Sequence, residues 1–310
     1  PMPERREIAK DLFGCQVHAD YKELFGHKDI DFVDIVLAPD TKLFLDPCLI
    51  EFGKTEWSAK AQKTISSYFD RFYDLYRGHT SDDEKLALFE HAHEINATRL
   101  GYGNGHNGKA KTPQGMLDTF RLVPNLLRNG VELSQASDLV VFIRDFAEDC
   151  LSDMLTNIIY KELVDFTLEQ CLKYGKETQE APAGCYCWSD TTTRWEQYQG
   201  SSLVVNGKPI LLVPKNIVRN RYYFTVDQFF SRIILAHIQN EESWIDAKGK
   251  AQKPPKKQLR KKYQGDRSTL DCAINMTAET PLYLPEYHRQ LPALYSGQGM
   301  SDEELDDILY

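Results

Sequence analysis

No apolar run in this 310-residue chain reaches the ~18 residues that a membrane-spanning helix requires. The opening PMPERREIAKDLFG is charged from its fourth residue and has no apolar centre. Neither a membrane partner nor a secretory signal is expected, and the expected compartment is the cytoplasm. Cysteine is sparse: seven residues, an odd number scattered along the chain, do not form a disulfide framework and fit a reducing environment. Cys185-Tyr186-Cys187 lacks the second pair that a structural zinc usually needs, so free thiols in or beside a strand are expected. Also missing are GxSxG, a GxGxxG opening a helix after a strand, a P-loop GxxxxGK[ST], and HRD with DFG. Serine-hydrolase, Rossmann, P-loop and kinase chemistries lose their sequence basis with them. No internal repeat is present.

What is present is enough apolar residue, 42% of the chain, to bury a sizeable core in one large domain with appendages. Alternating and helical apolar patterns predict an α/β fold, with α+β as the alternative, in which helices flank a mixed central sheet. The core is expected over 1–247 and 263–299, followed in charge logic by a basic loop at 248–262 and an acidic C-terminal tail at 300–310. That loop, KGKAQKPPKKQLRKK, holds eight Lys or Arg and no acid, so the remainder of a chain of net charge −9 carries −17. Lys256, Lys257, Arg260, Lys261 and Lys262 are therefore candidates to neutralise nucleic-acid phosphates, while the acidic body confines contact to that patch. The plainer reading is a solvated loop, aided by Pro254-Pro255.

Residues 32–37 and 42–45 read as a hairpin turning at Pro39, and the second strand runs into Asp46-Pro47. Helices are predicted at about 56–77 and 82–97, the second capped by Ser81 with Glu84 three residues on. Another follows at about 116–128. Residues 138–144 (DLVVFIR) read as a buried strand leading into a helix that runs to about Lys173. The pairs 185–189 with 194–199 and 202–205 with 209–213 read as strands, the latter turning at Asn206-Gly207, and 225–242 as an amphipathic helix.

Three groups of residues carry candidate chemistry. On the helix after 144, Asp149, Asp153 and Asn157 are one turn apart and could share Mg or Mn, since hard cations take oxygen ligands. Their face lies opposite an apolar stripe of Leu151, Leu155, Ile158 and Leu163, so a merely solvated face explains the same pattern. Asp46 and Lys215 end predicted strands. With the Asp153 region they would supply the acids and the charge-stabilising ammonium of a metal-assisted phosphodiester hydrolase, with Lys215 and Asp153 in catalytic roles and Asp46, Asp149, Asp153 and Asn157 as ligands. The glycine-rich stretch 100–111 offers Gly103, Gly105, Lys109 and Lys111 as a phosphate cradle, against the plainer reading of a loop. Arg232 and His237 have a ribonuclease-like spacing inside an apolar helix, where packing explains them better.

The blocks LFLDP (43–47), LGYGNG (100–105), SDMLTNII (152–159) and PILLVPK (209–215) resemble those of an uncharacterised bacterial family associated with anti-phage defence loci. The resemblance implies antiviral defence and nuclease activity. The expectation is thus a metal-dependent nuclease-like enzyme acting on nucleic acid. Its alternatives are a non-catalytic subunit binding nucleic acid or a protein partner in a defence complex, and a hydrolase of a nucleotide or other small phosphorylated molecule.

Overall fold

Thr55 opens the longest helix, its hydroxyl accepting the Ser58 N–H at 3.0 Å. Gly53 stands close behind, where a Cβ would meet Ser58 Cβ at 2.8 Å, so only glycine lets the chain turn into this cap. The computed structural model describes residues 42–78, 80–92, 97–98, 100–101, 112–205, 207–295 and 299–309, and through residue 308 these belong to one compact unit spanning 39–308.

In chain order the described elements are β1 (Phe44–Leu45), α1 (Pro47–Glu51), α2 (Glu56–Arg77), α3 (Asp82–Phe89), α4 (Pro113–Thr119), α5 (Val123–Arg128), α6 (Ala136–Phe142), α7 (Glu148–Ile158) and α8 (Tyr160–Lys173). Then come β2 (Gln179–Glu180), β3 (Tyr186–Ser189), β4 (Arg194–Gln197), β5 (Ser201–Val205), β6 (Lys208–Ile210), β7 (Val218–Arg219), α9 (Val226–Phe229) and α10 (Leu235–Glu241). The chain closes with β8 (Trp244–Ile245), β9 (Ala251–Gln252), α11 (Lys256–Tyr263), α12 (Thr269–Glu279), α13 (Tyr283–Tyr295) and α14 (Asp302–Leu309). The fold is mixed α+β with helices predominating. Its described strands pair antiparallel in small sheets, β1 with β7, β2-β5-β6, β3 with β4, and β8 with β9. Strands of two to five residues are too short to carry one central sheet, and helices supply the layers instead.

The core gathers on α2, which buries Ala61, Ile65, Tyr68, Phe69, Phe72 and Tyr73 along one stripe at helical spacing. Phe72 touches Phe120 edge-on at 5.1 Å between ring centres, Phe120 stacks on Phe89 at 5.5 Å and meets Phe146 at 5.0 Å. Edge-to-face and offset rings at these separations add to the area they bury.

The predicted helix at 56–77 is present as α2, and Ser81 caps α3 by accepting the Glu84 N–H. The hairpins β3-β4 and β5-β6 form as expected, with Gly207 at φ +74 in the turn. The 225–242 helix forms with a π-helical stretch at 230–234 between α9 and α10. Residues 32–37 and the glycine-rich residues 102–111, including Gly103, Gly105, Lys109 and Lys111, lie outside the described residues.

Three expectations are corrected. Residues 138–144 are not a strand: 136–142 form helix α6, because Asp138 Oδ2 accepts the N–H groups of Ser134 (2.8 Å) and Gln135 (2.9 Å) and so caps a first turn. Leu139, Val141 and Phe142 are fully buried, and a short apolar run buried all round carries no period that tells helix from strand. The helix after it breaks at Ile159 (φ −95, ψ 27), dividing α7 from α8. The stretch 248–262 is not a loop throughout: β9 and α11 lie within it, with Pro255 at the helix N-cap and Leu259 buried. Among the described residues no helix is long and apolar enough to cross a membrane.

Candidate functional site

The first turn of α7 lies where several segments meet. Ser152 Oγ accepts the Leu45 N–H at 3.0 Å, which pins α7 to β1. Tyr222 donates to the Leu45 carbonyl at 2.6 Å and stands 3.1 Å from the Glu148 carbonyl, so one hydroxyl joins β1 to the start of α7. Asp46, Glu148 and Asp153 all act electrostatically on this hydroxyl, whose pKa is driven up by burial first and by those acids second. Just before the helix, Asp145 adopts φ +61, a left-handed conformation that Asp tolerates better than most residues.

Gly101 contributes the closest approach. Its φ is +119, and a Cβ at this position would stand 2.5 Å from Asp149 Oδ1. Gly101 therefore backs directly onto the first acid of α7, although the two lie 48 positions apart in sequence. Asp149 and Asp153 are half-buried and Asn157 is buried, so this face of α7 is not an ordinary solvated one. Asn157 donates its amide to the Asp153 carbonyl at 3.0 Å, which directs the Nδ2 end at the helix backbone.

Asp46 sits next to this cluster with a different character. It is fully buried, caps α1 through Oδ1, which accepts the Cys48 N–H at 2.9 Å, and its own N–H donates to Ile217. Burial pushes its pKa up to about 7, against the lowering pull of the Tyr295 hydroxyl, the Cys48 N–H and the Arg219 guanidinium. Tyr223 N–H donates to the Tyr295 hydroxyl at 3.2 Å, and the buried Asp46 Oδ2 has no hydrogen-bond partner. Arg219, itself buried, lies over the Tyr223 ring at 3.7 Å.

Lys215 is placed close in backbone terms, two residues before the Ile217 carbonyl that Asp46 binds, yet its side chain is exposed and its ammonium lies 2.6 Å from Asp302 on α14. The three candidate segments thus adjoin, while the Lys215 charge is engaged at the surface by the acidic tail. Among the described residues no three His, Cys, Asp or Glu side chains form a ready ion cage. The set that fits a hard cation is Asp149 and Asp153 with the Asn157 amide oxygen, all oxygen donors at successive turns, and Mg²⁺ commonly takes one or two carboxylates and completes its shell with water. Asp46, with one oxygen committed and no exposure, fits a structural role better.

The basic residues of α11 divide into two classes. Lys256 donates to the Ser231 carbonyl, Arg260 pairs with Asp227 at 3.0 Å and covers Phe230, and Lys262 pairs with Glu242 at 2.6 Å. Lys257 and Lys261, one turn apart, are exposed and outside these pairs. Nearby in sequence, the β8-β9 hairpin leaves Trp244 about half exposed and presents Lys248 and Lys250 at its turn.

Sequence reasoning missed Tyr222, Tyr295 and Arg219 around Asp46, and it missed His288, whose Nε2 lies 2.7 Å from Asp138 Oδ1. Burial alone would lower the His288 pKa, but the Asp138 carboxylate and the nearby Glu51 raise it by more, so the net direction is up. No local signal announces partners 150 residues apart. Of the ribonuclease-like pair, His237 contacts Glu241 at 3.2 Å on the exposed side of α10.

Comparison with curated proteins and with solved structures returned no match. The α7 acids, Gly101, Asp46, Lys215 and Tyr222 all fall within 25–225, whereas the basic helix and Tyr295 lie beyond it. That segment is matched by the model of a family described as a domain of unknown function (DUF8370), and the chain belongs to this family.

Proposed function

We propose that this protein is a metal-dependent phosphodiester hydrolase acting on nucleic acid, in the host-defence setting that the sequence resemblance implies. The observation that supports it is the placement of Asp149 and Asp153, half-buried one turn apart on α7, with Gly101 packed against the Asp149 carboxylate. In this reading Asp149, Asp153 and the Asn157 oxygen hold Mg²⁺ or Mn²⁺, which when bound supplies Lewis acidity and an activated water. The residues of the chain orient that set: Tyr222 ties the start of α7 to β1, and Ser152 keeps the helix from sliding along it. Purified protein is expected to cut DNA or RNA with Mn²⁺ or Mg²⁺, and Asp153→Asn, close in shape, to lose about 100-fold or more in kcat, the scale seen when an electrostatic group at a reacting centre is removed. Full cutting by Asp153→Asn would remove the assignment.

A second reading, a non-catalytic subunit that binds nucleic acid, is favoured by one observation: the exposed Trp244 shares a hairpin with Lys248 and Lys250, a stacking surface beside phosphate-neutralising charge. It predicts salt-dependent binding that weakens in Lys257→Glu/Lys261→Glu and in Trp244→Ala, with no metal-dependent turnover in any variant.

A further inference from the structure

A hollow of about 420 Å³ lies where the end of α2, the start of α3 and the end of α5 come together. It is lined by Tyr76, Arg77, Thr80, Lys85 and Arg128, with Gly78, Pro124 and Leu127 completing the wall. Three of its lining residues are cationic and none is acidic, in a chain of net charge −9. We propose that this hollow binds a phosphate-type oxyanion, at a site separate from the α7 cluster and independent of the function assigned there.

The three cations differ in how far the protein neutralises them: Arg77 and Lys85 each have a carboxylate within ion-pair distance, and Arg128 has uncharged partners. Arg128 makes its bonds to the Pro124 carbonyl (3.3 Å) and the Asn125 amide oxygen (2.6 Å), neither of which carries charge. Arg77 donates to the Leu133 carbonyl at 3.0 Å and has Asp74 at 3.6 Å. Lys85, with a side chain only 12% exposed, donates to the Thr80 carbonyl at 3.0 Å and has Asp82 at 3.4 Å. Asp74 and Asp82 stand outside the lining but pair with Arg77 and Lys85, so Arg128 is the cation of the hollow with the least compensated charge.

A second observation points to a ligand. Tyr76 is buried, its hydroxyl has no hydrogen-bond partner, and Lys85 Nζ lies 5.4 Å from its ring centre. A buried hydroxyl left unbonded is costly, and an oxyanion beside it would accept the proton. Burial, and then Asp82, hold this phenol firmly protonated, so it stays a donor. Thr80 also lines the hollow and brings a second hydroxyl side chain to its wall. A planar guanidinium pair, an ammonium and two hydroxyls form the donor inventory that tetrahedral oxyanions take.

The test is calorimetric titration of the full chain with inorganic phosphate and, separately, with a short DNA oligonucleotide carrying a 5′-phosphate or a 5′-hydroxyl. Phosphate is expected to bind and to raise Tm, and Arg128→Glu, at an exposed position, to weaken it by about tenfold or more. Tyr76→Phe is expected to weaken binding several-fold while leaving Tm of the ligand-free protein unchanged or higher, since it removes an unbonded hydroxyl. Asp153→Asn is expected to leave phosphate binding intact, which separates this site from the α7 cluster. If only the 5′-phosphorylated oligonucleotide competes better than inorganic phosphate, the source is a nucleic-acid end; if neither oligonucleotide competes, it is a free small anion. Absence of phosphate binding at millimolar concentration, or identical binding by wild type, Arg128→Glu and Tyr76→Phe, overturns the proposal.

Discussion

Phe72→Ala lowers the unfolding free energy by about 3–5 kcal/mol, the usual range for deleting a fully buried phenylalanine. Phe72 has no exposure and contacts Phe69, Tyr73, Tyr76, Phe89 and Phe120 at ring separations of 4.7 to 6.1 Å. Its neighbours are themselves large rings anchored on several elements, so they cannot collapse into the space without giving up their own edge contacts. Denaturant unfolding followed by far-UV dichroism measures this, with the midpoint falling and the slope unchanged if the loss is local. A change under about 1 kcal/mol would show that the aromatic column is loosely packed.

Asp46→Asn makes the protein more stable than wild type at pH 8, by a margin on the order of 4 kcal/mol at most, and abolishes a pH dependence that wild type shows. The folded pKa of Asp46 is pushed up to about 7 from an ordinary value near 3.8. Between those two values the folded state holds a proton that the unfolded state has released, so wild-type stability falls as pH rises from about 4 to about 7 and then levels off. Below pH 4 both states are protonated and this contribution is constant. Asparagine is neutral throughout, keeps an oxygen for the Cys48 N–H, and so flattens the curve. Unfolding free energies at pH 4 to 8 for both proteins decide it; parallel curves would show that Asp46 ionises freely in the fold. The Tyr295 and Arg219 groups that temper the rise come from α13 and β7, so loss of either is expected to steepen wild-type behaviour further.

Much of the local structure was legible because its causes are local. The helix 56–77 shows its buried stripe over six turns, the Ser81 cap with Glu84 is a side-chain-to-backbone bond within four residues, and Asn206-Gly207 marks a turn whose left-handed φ glycine permits. LVVFI was misread for a reason of the same kind: β-branched residues favour strands on propensity, but Asp138 capping the Ser134 and Gln135 N–H groups outweighs a propensity difference of tenths of a kcal/mol per residue. The candidate site was legible in part. The spacing of Asp149, Asp153 and Asn157 placed them on one face, yet it could not tell that this face is half-buried against Gly101 or that Asp46 is sealed off as a cap.

Composition and pattern by themselves determined that the chain mixes helices with strands, that its described cysteines are free thiols, and that its charge is strongly divided, while the central sheet they suggested is replaced by small antiparallel sheets. Only the tertiary structure decided which charges are available. Arg260 and Lys262 are neutralised by Asp227 and Glu242 from the preceding helices, Lys215 is held by Asp302, and Arg77, Lys85 and Arg128 are gathered around one hollow from three separate helices. The physical reason is that charge pairing and desolvation depend on distance in space and fall off within a few ångströms, whereas the sequence records only separation along the chain.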